Sequence, residues 1–129
     1  KFTAVDGREI DVSKMKGKVV LIDFWATWCG PCVRELPKVK KAYAELHEQG
    51  FEIIGISLDN GEKKLTDFVA KNDMPWAQFC DGKGWKNTIA QEHGIRSIPA
   101  MWLIDKEGNL VDQNARSGLE EKVKKYLAQ

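Results

Sequence analysis

A four-residue segment, Cys29-Gly30-Pro31-Cys32, stands where an apolar run gives way to a helical pattern. That junction limits the possible folds more than any other feature of the chain. Before it, Lys18-Val19-Val20-Leu21-Ile22-Asp23-Phe24-Trp25 reads as a buried strand broken by one carboxylate. After it, residues 30–49 carry Val33, Leu36, Val39, Tyr43 and Leu46 at helical spacing and stop at Gly50. Pro37 lies inside that run and is expected to kink it. A sulfur at the start of a helix meets unpaired backbone N–H groups and the positive end of the macrodipole. Both favour thiolate over thiol. A second cysteine three residues on lies within reach of the first, so the pair can close into a disulfide and reopen. The chemistry this spacing supports is thiol–disulfide exchange.

The rest of the chain supplies a frame for that junction. Residues 2–5 and 8–12 read as a β-hairpin with a primed turn at Asp6-Gly7. Ser13 is the expected cap of a short turn ending at Gly17. Residues 51–57 form a second buried strand, and Leu65-Thr66-Asp67-Phe68-Val69-Ala70 belongs to a second helix. A loop rich in Gly and Trp follows over residues 75–85, then a short helix over 88–93. Residues 101–105 and 110–112 make a late hairpin, and an amphipathic helix over 119–127 closes the chain. A strand–helix–strand unit with a right-handed crossover requires parallel strands, while the late hairpin adds antiparallel ones. The expected fold is therefore α/β, a mixed central β-sheet with helices on both faces and an N-terminal β-hairpin extension.

At 129 residues the chain is expected to form a single domain spanning 1–129. Its net charge of +1 gives no basic field for nucleic acid or an acidic membrane. The longest apolar stretch, near residues 19–26, is too short to span a bilayer and contains Asp23. The first residue is Lys1 rather than Met, so a processed product or a piece of a longer protein is expected, which leaves room for a removed leader or N-terminal anchor. Of 3 cysteines, two lie in one motif and Cys80 is left over, which is not the pattern of a disulfide-stapled scaffold. Cys80 reads as a buried bystander, and His47 and His93 as caps at helix ends.

Asp23 and the run Phe24-Trp25-Ala26-Thr27-Trp28-Cys29-Gly30-Pro31-Cys32 together resemble the active-site segment of the thioredoxin superfamily. Gly94-Ile95-Arg96-Ser97-Ile98-Pro99 resembles that family's second signature, which presents a cis-proline beside the redox pair. Asp6-Gly7, Lys16-Gly17-Lys18 and Arg34-Glu35-Leu36-Pro37 are similar to the TlpA/ResA-like branch of extracytoplasmic oxidoreductases. The resemblance implies a thioredoxin-like fold and no cofactor. It implies protein disulfides as substrates, an electron donor of unstated identity, a monomer, and a location in the periplasm or cell envelope, with the cytoplasm as the alternative.

The resemblance also implies roles. Cys29 is the exposed nucleophile and Cys32 the resolving thiol. A thiol with the ordinary pKa of about 8.5 is only a few per cent ionised at pH 7, and lowering it to about 7 ionises half. Asp23, its pKa raised by burial, exchanges a proton with Cys32. The branch often places a glutamate elsewhere for this task. Near the end of the second strand the chain offers only Asp59 and Asn60, which favours Asp23. Trp28, Gly30, Pro31, Ile98 and Pro99 line the substrate side, with Ile98 offering a backbone edge to an extended peptide. Trp25 packs against the scaffold.

Competing readings fit the residues less well. Half of a zinc site would need two further ligands, and Cys80, His47 and His93 have no paired spacing, so no metal is expected. A thiol peroxidase of the peroxiredoxin type needs a hydroxyl residue three positions before the nucleophile and a proline further upstream, where Ala26 and Ile22 stand. A copper chaperone needs CxxxC with an opposed histidine, and a binding-only module would not need an intact redox pair. The direction of exchange is expected to be reducing, because Gly30-Pro31 adds no cation to stabilise the thiolate further; a stabilisation of about 1.4 kcal/mol would raise the potential by about 30 mV.

Overall fold

The computed structural model describes residues 2–129. Five strands form its central sheet in the order β5-β4-β3-β6-β7. Their ranges are β3 Val19–Trp25, β4 Phe51–Ser57, β5 Ala77–Phe79, β6 Ala100–Ile104 and β7 Leu110–Asp112. A separate pair, β1 Phe2–Thr3 and β2 Glu9–Ile10, makes the N-terminal hairpin. The helices are α1 Gly30–Leu46, α2 Glu62–Lys71, α3 Thr88–Glu92 and α4 Leu119–Leu127. Strands β3, β4 and β5 run parallel, and β6 and β7 are antiparallel to their neighbours. The expected mixed sheet flanked by helices is what the chain forms.

Alternation along β3 explains the layers. Leu21, Asp23 and Trp25 point to the face covered by α1, α2 and α4, where Trp25 meets Phe68 of α2. Ile22 and Phe24 point to the opposite face, which α3 and the N-terminal hairpin only partly cover. An apolar cleft there is lined by Ile22, Phe24, Ile54, Ile56 and Trp102. Helix α1 buries Leu36, Val39, Ala42 and Leu46 and carries Pro37 in its interior.

Three local expectations are corrected. The segment expected to be a loop over 75–85 contains strand β5, paired parallel with β4. It holds because Gln78 lies across Gly55 and accepts from Trp25 Nε1 at 2.9 Å; a Cβ on Gly55 would collide with that amide. The turn at Asp6-Gly7 is not primed, since Gly7 takes a left-handed φ of 91° and Asp6 does not. Val5 N–H instead donates to Gln78 O at 2.9 Å, tying the turn to β5. Finally, Asp11 rather than Ser13 caps the next turn, its carboxylate accepting from Ser13 N–H at 3.0 Å.

Candidate active site

Strand β3 ends at Trp25, and residues 26–28 carry the chain to Cys29, the N-cap of α1. Cys29 has extended backbone angles, φ −87° and ψ 105°, and its Sγ accepts from Cys32 N–H at 3.2 Å. A sulfur thus occupies the place usually taken by a Ser or Asp oxygen at a helix start. The same N–H that satisfies the helix end is aimed at the sulfur, where it stabilises negative charge in the reduced form. Pro31 sits in the first turn, where its missing N–H costs no intrahelical bond.

Cys29 and Cys32 are joined by a disulfide, with their Cα atoms 5.2 Å apart. The Ile98–Pro99 peptide bond is cis, and Ile98 O lies 3.9 Å from Cys29 Sγ. The pairing of β3 with β6 brings this about: Phe24 is opposite Ala100, so the residues just before β6 meet the residues just after β3. Cys29 was expected to be exposed, and in the disulfide form it is not. Its exposure is 4%, against 6% for Cys32, because its sulfur is taken up by Cys32 on one side and Ile98 O on the other. Exposure passes instead to its neighbour Trp28, at 50%. Gly30 is exposed and Pro31 half-buried on the same turn.

Asp23 is buried in the middle of β3, opposite Gly55 on one side and Met101 on the other. Its Oδ1 has no hydrogen-bond partner within the protein. Burial, and secondarily the negative charge of Glu35, push its pKa up to about 7. Glu35 is a residue to which sequence reasoning gave no separate task. It lies on α1 one turn beyond Cys32, bound by Arg116 Nε at 2.9 Å and near Lys38 Nζ at 3.6 Å. The Arg116 hydrogen bond leads the effects that hold the Glu35 carboxyl below its usual range. A CxxCxxE spacing was visible in the chain, but the partnership with Arg116, 81 positions away, was not.

Asp59 takes a different position. It is buried just past β4 and accepts from Thr27 N, Thr27 Oγ1 and Ser57 Oγ. It therefore anchors the loop that delivers Cys29. Cys80 is a buried free thiol, its Sγ 3.7 Å from Asp59 O, and burial pushes its pKa up. His93 Nδ1 lies 2.8 Å from Ile89 O at the end of α3, and His47 Nδ1 lies 3.0 Å from Phe51 O. Among the described residues no cluster of three His, Cys, Asp or Glu side chains is arranged to hold a metal ion. No helix there is long and apolar enough to cross a membrane.

A closed dithiol at a helix start, on this sheet order, defines the class: a thiol-disulfide oxidoreductase of thioredoxin-like fold. The AhpC/TSA family model matches residues 1–113, and the chain belongs to that family. The thiol-disulfide oxidoreductase ResA of Bacillus anthracis is 34% identical over 125 residues, covering 97% of this chain and 70% of its own length. ResA of Halalkalibacterium halodurans is 32% identical over 123 residues, covering 95% and 68%. Among solved structures, the thioredoxin domain of a thiol-disulfide oxidoreductase from Bacteroides vulgatus superposes with a TM-score of 0.84. Its identity is 29%, and 96% of this chain and 89% of that one are covered.

Proposed function

We propose that this chain reduces disulfides in other proteins outside the cytoplasm, working as one monomeric unit over residues 1–129. The observation that carries the reading is the position of Cys29 Sγ, bonded to Cys32 Sγ and adjacent to both Cys32 N–H and Ile98 O. In the reduced form the Cys29 thiolate attacks one sulfur of a substrate disulfide. A Cys29–substrate bond forms, the substrate S–S bond breaks, and the departing thiolate takes a proton from water. Cys32 then gives its proton to the Asp23 carboxylate and attacks Cys29 Sγ. The remaining substrate sulfur leaves as a thiolate and is protonated in turn. Two electrons have moved from the enzyme dithiol to the substrate, and a separate dithiol donor restores the pair.

Asp23 suits the middle step because a pKa of about 7 leaves it close to half ionised at neutral pH. Ile98 supplies a backbone edge for an extended substrate segment, while Gly30 and Pro31 themselves add neither side-chain bulk nor charge between the cysteines. The reducing direction is supported by that lack of a cation between the cysteines. The extracytoplasmic location is supported by the resemblance to the TlpA/ResA-like branch. The test is turnover of a protein disulfide with dithiothreitol as the electron source. Cys29→Ser abolishes it and Cys32→Ser accumulates a mixed disulfide visible by mass; full turnover by Cys32→Ser would refute the two-cysteine mechanism.

A further inference from the structure

Trp85 was not singled out in the sequence, yet it is 42% exposed and its ring lies 6.1 Å from that of Trp28, inclined at 52°. These are two of the three large hydrophobic side chains left exposed among the described residues. They come from distant segments, and one of them, Trp28, is the residue that precedes Cys29. Two half-exposed indoles held together form an apolar wall whose open side is left to solvent among the described residues.

The wall is held in place from below. Asp59 fastens both of its supports: its carboxylate accepts from Thr27 N and Oγ1, and its carbonyl accepts from Gly84 N at 3.3 Å. Thr27 adjoins Trp28 and Gly84 adjoins Trp85. Gly84 has a left-handed φ of 57° and packs so closely on Asn60 that a Cβ there would collide with the Asn60 amide. Gln91 Nε2 fixes the Trp85 carbonyl at 2.8 Å. A surface ordered before its partner arrives loses little freedom on binding.

Three exposed cations lie in the segments that carry this wall, the redox pair and Pro99. Arg34 lies over Gly30, its Nη1 3.2 Å from where a Cβ would stand. Lys86 follows Trp85 and Arg96 precedes Ser97-Ile98-Pro99, all three cations being exposed. None of the three forms an ion pair among the described residues. The neighbouring acid Asp81 is engaged by the backbone N–H groups of Lys83 and Thr88, and Glu35 by Arg116.

We infer that the Trp28–Trp85 wall with Arg34, Lys86 and Arg96 selects disulfide-bearing protein segments in which the reacting cysteine is flanked by an aromatic side chain and by carboxylates. The inference rests on the proposed reduction of protein disulfides. An aromatic ring adds to the two indoles, and carboxylates find cations that have no partner of their own.

The experiment uses symmetric disulfides of short peptides, with reduced full-length protein in single turnover and the released thiol peptide counted by mass spectrometry. A Glu-Phe-Cys-Glu peptide is compared with versions carrying Ala for Phe, or Lys for both Glu residues. Phe is expected to be favoured over Ala about fivefold. Trp85→Ala brings that ratio close to one, and Trp85→Phe largely restores it. Glu is expected to be favoured over Lys about tenfold in dilute buffer. That preference shrinks in about 0.5 M salt, which screens charge but not ring contact. It reverses in Lys86→Glu/Arg96→Glu. Wild-type protein that reduces all the peptides at one rate would overturn this inference and leave the reductase reading standing. Wild-type protein that reduces neither the peptides nor hydroxyethyl disulfide would overturn the reading beneath it. A Phe preference surviving in Trp85→Ala would also overturn the inference. So would concentration-dependent dimerisation abolished by that variant, since the wall would then serve a second copy.

Discussion

Asp23 and Asp59 are both buried near the redox pair, with 8% and 1% of their surface exposed, and the fold surrounds them in opposite ways. Asp59 receives a backbone N–H and two hydroxyls, the last two at 2.5 Å each. Asp23 has an oxygen with no partner and a second carboxylate, Glu35, close enough to be felt. Donors that converge on Asp59 tie it to two neighbouring residues and make it an anchor; Asp23, buried without such donors, holds its proton more tightly than usual. Burial alone therefore does not distinguish the two carboxylates, and the donors around them do.

The largest expected effect comes from pH. With Asp23 at about 7 in the folded chain and 3.8 ordinarily, the folded protein keeps a proton that the unfolded chain has lost between those values. The stabilisation is complete below pH 4 and is lost as pH rises through 7, a loss of roughly 4 kcal/mol. Asp23→Asn removes that slope, so the variant gains on the wild type steadily from pH 4 to 8 in urea unfolding of the oxidised protein. It should also slow disulfide exchange near neutral pH by at least about tenfold. Parallel stability curves for the two proteins would place the proton elsewhere.

Asp59→Ala should cost about 3 kcal/mol, because it leaves two hydroxyls and a backbone N–H without an acceptor. The same urea measurement reads it, and an unchanged stability would contradict its role as an anchor. Gly55→Ala should cost about 1–3 kcal/mol, since the added methyl must displace Gln78 from Trp25. Its signature is a change in Trp25 fluorescence together with the lost stability. An unaltered spectrum would mean that Gln78 yields without releasing the indole.

What could be read from the chain follows the range of the interactions involved. The Cys29–Cys32 junction, the end of α1 before Gly50 and the β6–β7 hairpin are local patterns, and each was visible as periodicity bounded by turn residues. Strand β5 was not, because three residues with a polar Gln78 in the middle carry no strand signal. What makes it a strand is Gly55, 23 positions earlier, leaving room for the Gln78 amide. The same holds at the site. The position of Asp23 relative to Cys29 was legible, whereas the grip of Asp59 on Thr27 and the approach of Trp85 to Trp28 depend on tertiary folding.

The smallest effect tests the second difference between the two aspartates, the neighbouring charge. Glu35 contributes less than burial to the raised pKa of Asp23, so Glu35→Gln should lower the midpoint of its titration by less than about one unit. The shift must be downward, because removing a like charge makes the Asp23 anion easier to form. It would appear as a small acid-ward move in the pH dependence of exchange, with the pH-dependent part of the stability reduced in proportion. Arg116 and Lys38 complicate the magnitude, since they already neutralise part of Glu35 and are left near Asp23 when its charge is gone. Their release acts in the same direction, so the sign is protected even where the size is not. An upward shift would mean that the charge of Glu35 does not raise the pKa of Asp23, and the contrast with Asp59 would have to be redrawn.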